Sequence, residues 1–212
     1  MHFVPTPGQC VLDIGANDGT YAERYAQQVT ETGWVWAVEP NPVAVNLART
    51  RCKRYPWVIV MQAAIGATPG QQTFHVDAND SRHSSLYREN LIGGAIDIET
   101  QVTTLDTVVA AMLRYPHWIK IDAQGAEGAI LQGATKTLDE RRASWCVELW
   151  HHGLLTAGSS CYDVIEQFQS RGYTALLGKE RVSWADVRTR SVSKRAHGSI
   201  DVVCLPPQSS EP

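Results

Sequence analysis

An acid and two glycines near the start of the chain have the spacing of a nucleotide-binding turn. An apolar run ends at Asp13, and Gly15 and Gly19 follow with three residues between them. Gly15 allows the backbone to turn sharply beside a ligand, and Gly19 is placed to open a helix. Dinucleotide folds have the different spacing G-x-G-x-x-G, which brings a pyrophosphate to the helix N-terminus. An acid before the turn disfavours phosphate and suits an ammonium group, so we expect Asp13, Gly15, Asn17 and Gly19 to belong to a cofactor site.

A further acid, Glu39, lies twenty residues beyond Gly19, at the end of the apolar run 34–38. A carboxylate in this position typically accepts hydrogen bonds from the hydroxyls of a ribose. A ribose and an amino acid without phosphate indicate S-adenosylmethionine. Any strand-to-helix connection can be rich in glycine, but Asp13 and Glu39 in register with the turn favour the cofactor.

Asp122 and Glu148 end two later apolar runs, which we expect to form adjacent strands, and they are candidates for the chemical step. Methyl transfer from a sulfonium is an in-line displacement, so the protein has to orient and deprotonate the acceptor. Enzymes of this kind that methylate amino groups commonly have two prolines and an aromatic after an Asp or Asn, and the sequence after Asp122 lacks them. The same loop has no cysteine for carbon methylation. An oxygen acceptor is therefore favoured.

Two routes to a reactive hydroxyl remain open. In the first, Asp122 and Glu148 bind magnesium or manganese, with His151 or His152 nearby, and the cation lowers the pKa of the hydroxyl. In the second, one of the two histidines takes the proton directly, assisted by Asp122, without a metal. Lys120 shares a strand face with Asp122, and we expect it to be the buried partner of a site carboxylate. Each residue also has a structural alternative, because Asp122 can cap a helix, Glu148 can pair with a cation, and either histidine can lie in an ordinary loop.

The elements that position these residues are predicted to form a parallel α/β sheet. Short apolar runs alternate with longer helical segments, which is the pattern of βαβ units with helices on both faces. Ligands of such sheets collect at the carboxyl ends of the strands, where Asp13, Glu39, Asp122 and Glu148 lie. A long excursion before the last strand fits an antiparallel strand inserted beside the sixth. We predict seven strands, at 10–14, 34–38, 58–62, 118–122, 145–149, 173–177 and 200–205, and helices that include 20–28, 43–54 and 105–113.

Several motifs give the chain a resemblance to a known family. They are I-K-I-D-A-Q-G-A-E at 119–127, L-Q-G-A at 131–134, V-E-L at 147–149 before two histidines, V-E-P-N-P at 38–42, A-A-I-G at 63–66 and S-S-L at 84–86. From about residue 9 to residue 205 the sequence resembles the FkbM-type S-adenosylmethionine-dependent methyltransferases. The resemblance implies a class I, Rossmann-like methyltransferase fold and, most often in that family, methylation of a hydroxyl of a sugar or another natural product. It also implies that Pro40, Ala64, Ser85 and Asp122 contribute to the cofactor site. The second acid often seen in the 119–127 motif is Gln124 here.

Length and the position of the polar segments predict the domain organisation. A chain of 212 residues is long enough for one well-buried α/β domain and short for two. We predict one S-adenosylmethionine-dependent methyltransferase domain over residues 1–206 and a disordered tail at 207–212. The polar segment 77–94 interrupts the α/β alternation, and we interpret it as a loop or lid.

Composition limits the partners and the compartment. A net charge of −3 and an isoelectric point near 6.1 leave no broad basic surface, so a nucleic-acid partner is disfavoured. The five cysteines contain no C-x-x-C pair, so we expect them to be reduced and structural. The N-terminus lacks a signal-peptide pattern, and no apolar run approaches the roughly 20 residues of a membrane span. We expect a cytoplasmic protein with no membrane partner.

The sequence therefore predicts an S-adenosylmethionine-dependent O-methyltransferase for a sugar, glycan or small natural product, with or without a divalent metal. Two other functional classes stay open. A nicotinamide-dependent Rossmann oxidoreductase is disfavoured by the glycine spacing and by the lack of a clear Tyr-x-x-x-Lys pair. A methyltransferase-like binding module without activity is disfavoured because the four strand-end acids are all retained. The acceptor, its hydroxyl position and the oligomeric state are not specified by the sequence.

Overall fold

The computed structural model describes residues 3–193 and 198–207, so most of the predicted tail, at 208–212, lies outside the described residues. Strands and helices alternate along most of the chain. In chain order the elements are β1 (Cys10–Ile14), α1 (Thr20–Val29), β2 (Trp34–Glu39), α2 (Pro42–Cys52), β3 (Val58–Gln62), β4 (Ala64–Ile65), β5 (Gly70–Asp77), β6 (Ala95–Thr103), α3 (Leu105–Ala111), β7 (Trp118–Ile121), α4 (Glu127–Gln132), α5 (Thr135–Asp139), β8 (Ser144–Leu149), α6 (His151–Thr156), α7 (Cys161–Gln169), β9 (Thr174–Leu177), β10 (Glu180–Val182), α8 (Trp184–Val192) and β11 (Ile200–Leu205).

The main sheet has the strand order β10-β9-β11-β8-β7-β1-β2-β3. The strands from β8 to β3 in this order pair in parallel, and β11 is antiparallel to both of its neighbours, β8 and β9. The prediction of a mostly parallel sheet with a late antiparallel strand is confirmed. The sheet has eight strands rather than seven, because β10 also joins its edge. This strand has the sequence E-R-V and is largely exposed, so it produces no apolar run.

The register of the central strands brings the strand-end acids together. Asp13 of β1 lies beside Lys120 of β7, and Lys120 lies beside Cys146 of β8. Asp122 follows the end of β7, and Glu148 lies one residue before the end of the adjacent strand β8. The predicted adjacency of these two strands is confirmed.

A second sheet, with the order β4-β6-β5, stands beside the main one. Strands β5 and β6 pair antiparallel from Gly70–Val102 to Asp77–Ala95, and the segment 77–94 connects them. That segment contains two short 3-10 turns, Ser81–His83 and Arg88–Asn90. The sequence does not predict this hairpin, because β5 and β6 are rich in exposed polar residues and bury little apolar surface.

Apolar side chains cover both faces of the main sheet, as a parallel sheet requires. Leu12, Ile119 and Ile121 belong to one core, and Val11 and Val35 belong to the other. The five cysteines are free and buried. Among the described helices, none combines the length and apolarity needed to cross a bilayer.

Candidate functional site

A cavity of about 920 Å³ lies at the carboxyl ends of the central strands. This volume is within the range of small-molecule sites in proteins, roughly 300 to 1,000 Å³. The lining comes from the turns after β1, β2 and β7, from β4 and β8, and from the segment 77–94. It includes Gly15, Asn17, Tyr21, Glu39, Pro40, Leu47, Ala64, Asp80, Ser81, His83, Ser84, Lys120, Asp122, Gln124, Glu148, Trp150 and Ser199.

The turn after β1 depends on glycine at two positions, for different reasons. Gly15 has φ +75°, and a Cβ there would overlap the carbonyl oxygen of Asp122. Gly19 has φ +80°, and its Cβ would lie 2.8 Å from Cα of Ala48 in α2. Gly15 therefore shapes the cavity wall. Gly19 does not line the cavity and instead allows α1 to pack closely on α2.

Glu39 is held by backbone groups at the edge of the cavity. Its Oε2 accepts a hydrogen bond from the amide of Asn17 at 2.9 Å, and its Oε1 accepts one from the amide of Asn41 at 3.0 Å. Burial raises the pKa of Glu39 to about 7, and the two amide donors oppose that shift. The carboxylate has a fixed orientation, and its remaining lone pairs can accept two hydroxyl groups. This arrangement fits the ribose predicted from the sequence.

The other residues predicted for the cofactor divide into two groups. Pro40 and Ala64 line the cavity. Ser85 does not, because its hydroxyl is buried and donates to the carbonyl oxygen of Gln124 at 2.8 Å. Asp13 does not line the cavity either, because its side chain is fully buried in the sheet. Its position does not fit the interpretation of Asp13 as the direct acceptor for the ammonium group.

Lys120 contacts both the buried Asp13 and Asp122 at the cavity. Its Nζ lies 3.2 Å from Oδ1 of Asp13 and 3.4 Å from Oδ2 of Asp122, and its side chain is 1% exposed. Nζ also lies 5.4 Å from the centre of the Tyr21 ring. Burial alone would lower the pKa of Lys120, but the two carboxylates raise it above its ordinary value. Lys120 is therefore a cation inside the sheet.

Asp122 and Glu148 face a common donor, the side-chain amide of Gln124. Its Nε2 lies 3.1 Å from Oδ1 of Asp122 and 3.2 Å from Oε2 of Glu148, and Ser199 donates to Oε1 of Glu148 at 2.7 Å. Burial and the charge of Asp122 raise the pKa of Glu148 to about 9. Burial opposes ionisation of Asp122 too, but Lys120 and the amide lower its pKa. The two carboxyl groups therefore share one proton at neutral pH, and Glu148 has the higher pKa of the two.

The two predicted histidines are not at the cavity. The position that faces it after β8 is taken by Trp150, and α6 begins at the next residue. His151 and His152 are absent from the lining, His152 is exposed, and Nδ1 of His151 is buried without a hydrogen-bond partner among the described residues. The prediction of a histidine base beside Asp122 does not fit this geometry.

The segment 77–94 supplies one wall of the cavity. Asp77 organises it by accepting four backbone hydrogen bonds, from residues 79, 80, 92 and 93. Ser81 donates to Oδ1 of Asn17 at 3.2 Å, which ties the segment to the turn after β1. The predicted loop is thus a structured wall joined to the expected cofactor residues.

The sequence alone indicates no role for three residues around this site. Gln124 bridges two acids, and Glu127 accepts hydrogen bonds from the amides of Ala123 and Gly125 at 2.8 and 3.0 Å. Asn90 is buried, and its Nδ2 donates to the carbonyl oxygen of Gln124 at 2.9 Å. The I-D-A-Q-G-A-E motif marks the loop containing Gln124 and Glu127, but no signal in the sequence indicates that Asn90 reaches it.

The donor set does not support the predicted magnesium or manganese site. Within the residues that the structure describes, no group of three or more His, Cys, Asp or Glu side chains is arranged to hold a metal. Asp122 and Glu148 are together, but a nitrogen donor lies between them. An N–H group cannot ligate a cation.

Comparison with known proteins identifies related sequences and folds. The model of the Methyltransferase FkbM domain matches residues 13–175. A curated relative, the 2-O-methyltransferase NoeI of Sinorhizobium fredii, is 28% identical over 157 residues, which cover 67% of this chain and 64% of the relative. The match therefore spans somewhat less than two thirds of that relative's length.

Two solved structures have the same fold. Methyltransferase FkbM from Methylobacillus flagellatus aligns with a TM-score of 0.59 and 15% identity over 96% of this chain and 45% of its own. Fibrillarin from Aeropyrum pernix, solved with natively bound S-adenosyl-L-methionine, aligns with a TM-score of 0.53 and 9% identity over 96% of this chain and 69% of its own. The predicted class I methyltransferase fold is confirmed.

Proposed function

The chain belongs to the FkbM family of methyltransferases, and from that premise we propose that it transfers a methyl group from S-adenosylmethionine to a hydroxyl of a sugar, glycan or other small natural product. The observation that carries the proposal is one cavity bordered by two different carboxylate sites. Glu39 has the setting of a ribose acceptor, and Asp122 has the setting of an ionised base. The nicotinamide-dependent alternative is set aside, since the family is one of methyltransferases.

The residues of the turns after β1 and β2 fit S-adenosylmethionine. Glu39 receives the ribose hydroxyls, Gly15 lets the backbone approach, and Asn17, Pro40 and Ala64 complete the wall. When bound, the cofactor supplies an electrophilic methyl group. Asp13 contributes indirectly, because it holds Lys120, and Lys120 holds Asp122.

Asp122 takes the proton of the acceptor hydroxyl. It lies at the cavity, it is kept ionised by Lys120, and neither predicted histidine lines the same space. A positioned general base of this kind contributes typically about 10² to 10⁴ in rate. Glu148 holds its own proton and can donate it in a hydrogen bond to a second acceptor oxygen.

The rest of the lining favours a polyhydroxylated acceptor. Asp80, Ser81, His83 and Ser199 bring polar groups into the cavity, and Trp150 adds an aromatic surface. Convergent polar groups that fix the orientation of a ligand are typical of a specific small-molecule site. The name of the curated relative, a 2-O-methyltransferase, supports an oxygen acceptor. The net charge of −3 gives no reason to propose a nucleic-acid substrate.

Methyl transfer from labelled S-adenosylmethionine to a panel of glycosides and hydroxylated natural products tests the proposal. Asp122→Asn is expected to lower kcat by about 10² to 10⁴ while affinity for S-adenosylhomocysteine is retained. His151→Gln and His152→Gln serve as controls and are expected to remain active. A loss in either histidine variant as large as that in Asp122→Asn would favour a histidine base. Cofactor binding without transfer to any acceptor would favour the binding-module alternative.

A further inference from the structure

The side-chain amide of Gln124 lies in the space between the two cavity carboxyl groups. Its Nε2 is 3.1 Å from Asp122 and 3.2 Å from Glu148, within normal hydrogen-bond distance of both. Both hydrogens of the NH₂ group are thus used on one side of the cavity. The two carboxyl groups are joined through this nitrogen.

The backbone of Gln124 is fixed in an uncommon conformation. Its φ is +50°, and φ of the next residue, Gly125, is +99°. A non-glycine residue in the left-handed region costs free energy and persists where its surroundings enforce it. The carbonyl oxygen of Gln124 accepts hydrogen bonds from Ser85 at 2.8 Å and Asn90 at 2.9 Å, which enforce it here. The strained turn aims the amide at the two acids.

A divalent cation in this position would need closer and different contacts. Mg²⁺ binds oxygen at about 2.0 to 2.1 Å and Ca²⁺ at about 2.3 to 2.6 Å. The two carboxyl oxygens would have to approach the centre by roughly 0.5 to 1 Å, and the N–H donor already at the centre would repel the ion. The chain thus has a nitrogen donor where a metal-bridged pair has its cation.

We propose that Gln124 is a positioning residue that substitutes for a bridging cation, so that Asp122 and Glu148 act on the acceptor hydroxyl without a metal. The inference rests on the proposed function for its catalytic part, whereas its metal-binding part does not. Gln124→Glu would replace the donor with a third carboxylate facing the other two. The chemical identity of this side chain therefore determines whether the site excludes or binds a cation.

The test compares wild type with Gln124→Glu after exhaustive chelation, using MnCl₂ as the probe. Binding of Mn²⁺ is measured by electron paramagnetic resonance without cofactor or acceptor, and methyl transfer is measured separately. Wild type is expected to bind no Mn²⁺ at this site and to keep its activity after chelation. Gln124→Glu is expected to lose about 10- to 100-fold in kcat when chelated, to bind one Mn²⁺, and to recover part of its activity with Mn²⁺.

Three further variants separate this role from a structural one. Gln132→Glu changes an exposed glutamine of α4 and is expected to bind no Mn²⁺. The double variant Gln124→Glu, Glu148→Gln is expected to lose the Mn²⁺ gained by the single one. Gln124→Met, which retains the length without donors, is expected to lower kcat with unchanged affinity for S-adenosylhomocysteine. Two results overturn the proposal even if no acceptor is found. One is that wild type binds Mn²⁺ and that Glu148→Gln abolishes this binding. The other is that folded Gln124→Glu does not bind Mn²⁺.

Discussion

The ammonium group of Lys120 lies 3.2 Å from a carboxylate oxygen of Asp13, and both side chains are almost completely removed from solvent. They occupy neighbouring positions on two central parallel strands, where the other residues are apolar. Burial raises the pKa of Asp13, and the ammonium group of Lys120 opposes that rise, since an unpaired buried charge is very costly. Lys120 also contacts Asp122. The stability of the sheet and the charge state of Asp122 therefore both depend on Lys120.

Lys120→Met is therefore expected to destabilise the fold. The variant leaves Asp13 buried without its cation, and removing one member of a buried pair costs about 3 to 5 kcal/mol. Urea unfolding measures the loss, with the exposed Lys53→Met as the control. The double variant Asp13→Asn, Lys120→Met is expected to be more stable than Lys120→Met alone. If Lys120→Met lowers the free energy of unfolding no more than Lys53→Met does, the pairing is contradicted.

Gly15→Ala is expected to disrupt the turn after β1. A Cβ at this position would meet the Asp122 carbonyl, and φ +75° is strained for alanine. The combined cost is expected to exceed about 1 kcal/mol, with weaker binding of S-adenosylhomocysteine in calorimetry. Gly70→Ala is the matched control, because a Cβ there has no neighbour within 4 Å. Equal stability of the two variants would show that the turn relaxes without difficulty.

Much of the fold could be predicted from the sequence because the central strands are buried on both faces. Their continuous apolar runs are visible without any structure, and all seven predicted strands occur within one residue of the observed bounds. Strands β5 and β6 were not predicted because they are rich in exposed polar residues. Strand β10 is short and polar, so no local pattern distinguishes it from a loop.

The site was predictable where chemistry follows directly from a strand end. Glu39, Asp122 and Glu148 all reach the cavity for that reason. The sequence predicts Asp13 as a ligand residue, but side chains alternate along a strand, and Asp13 lies buried on the sheet face that it shares with Lys120. Asn90 and Ser85 contact Gln124 across 34 and 39 residues. Such contacts depend on tertiary packing, which residue spacing does not encode.

Binding of S-adenosylhomocysteine is expected to strengthen as the pH rises through about 7. Burial raises the pKa of Glu39 to about 7, so the free protein is partly protonated at neutral pH. Ribose hydroxyls donate to the ionised form, so binding lowers that pKa and releases a proton. Calorimetry in buffers of different ionisation enthalpy measures the release. Glu39→Gln is expected to weaken binding by about 1 to 3 kcal/mol and to abolish its pH dependence. Glu31→Gln, which changes an exposed residue, is expected to keep the affinity and the pH dependence of wild type.

The free energy of unfolding is expected to fall as the pH rises from neutral towards about 9. The pKa of Glu148 is raised by burial and by Asp122 to about 9 in the folded protein. Because the folded value is above the unfolded one, the stability contribution is full below the unfolded pKa and is lost as the pH rises through the folded pKa. One such group gives a slope of at most about 1.4 kcal/mol per pH unit.

Urea titrations across this range isolate the effect in Glu148→Gln. Burial also raises the pKa values of Glu39 and Glu127, to about 7. Their effect on the free energy of unfolding is therefore largely complete before the pH range in which Glu148 titrates. The variant retains a neutral hydrogen-bonding group, and its free energy of unfolding is expected to depend less steeply on pH than that of wild type. Parallel curves for the two proteins would show that Glu148 is already ionised at neutral pH.

The segment 77–94 is expected to become more protected when S-adenosylhomocysteine binds. Ser81 donates a hydrogen bond to Asn17, and the backbone amide of Asn17 donates one to Glu39. A ligand that binds Glu39 is therefore expected to stabilise the segment 77–94 as well. Polar segments at such a site can close over a ligand and exclude water. Hydrogen exchange of residues 80–86 measures the change, with residues 96–101 of the outer hairpin as an internal control. Ser81→Ala removes the contact and is expected to reduce the gain in protection without altering the hairpin. If protection of residues 80–86 is the same with and without ligand, the segment is a static wall and the interpretation as a lid is wrong.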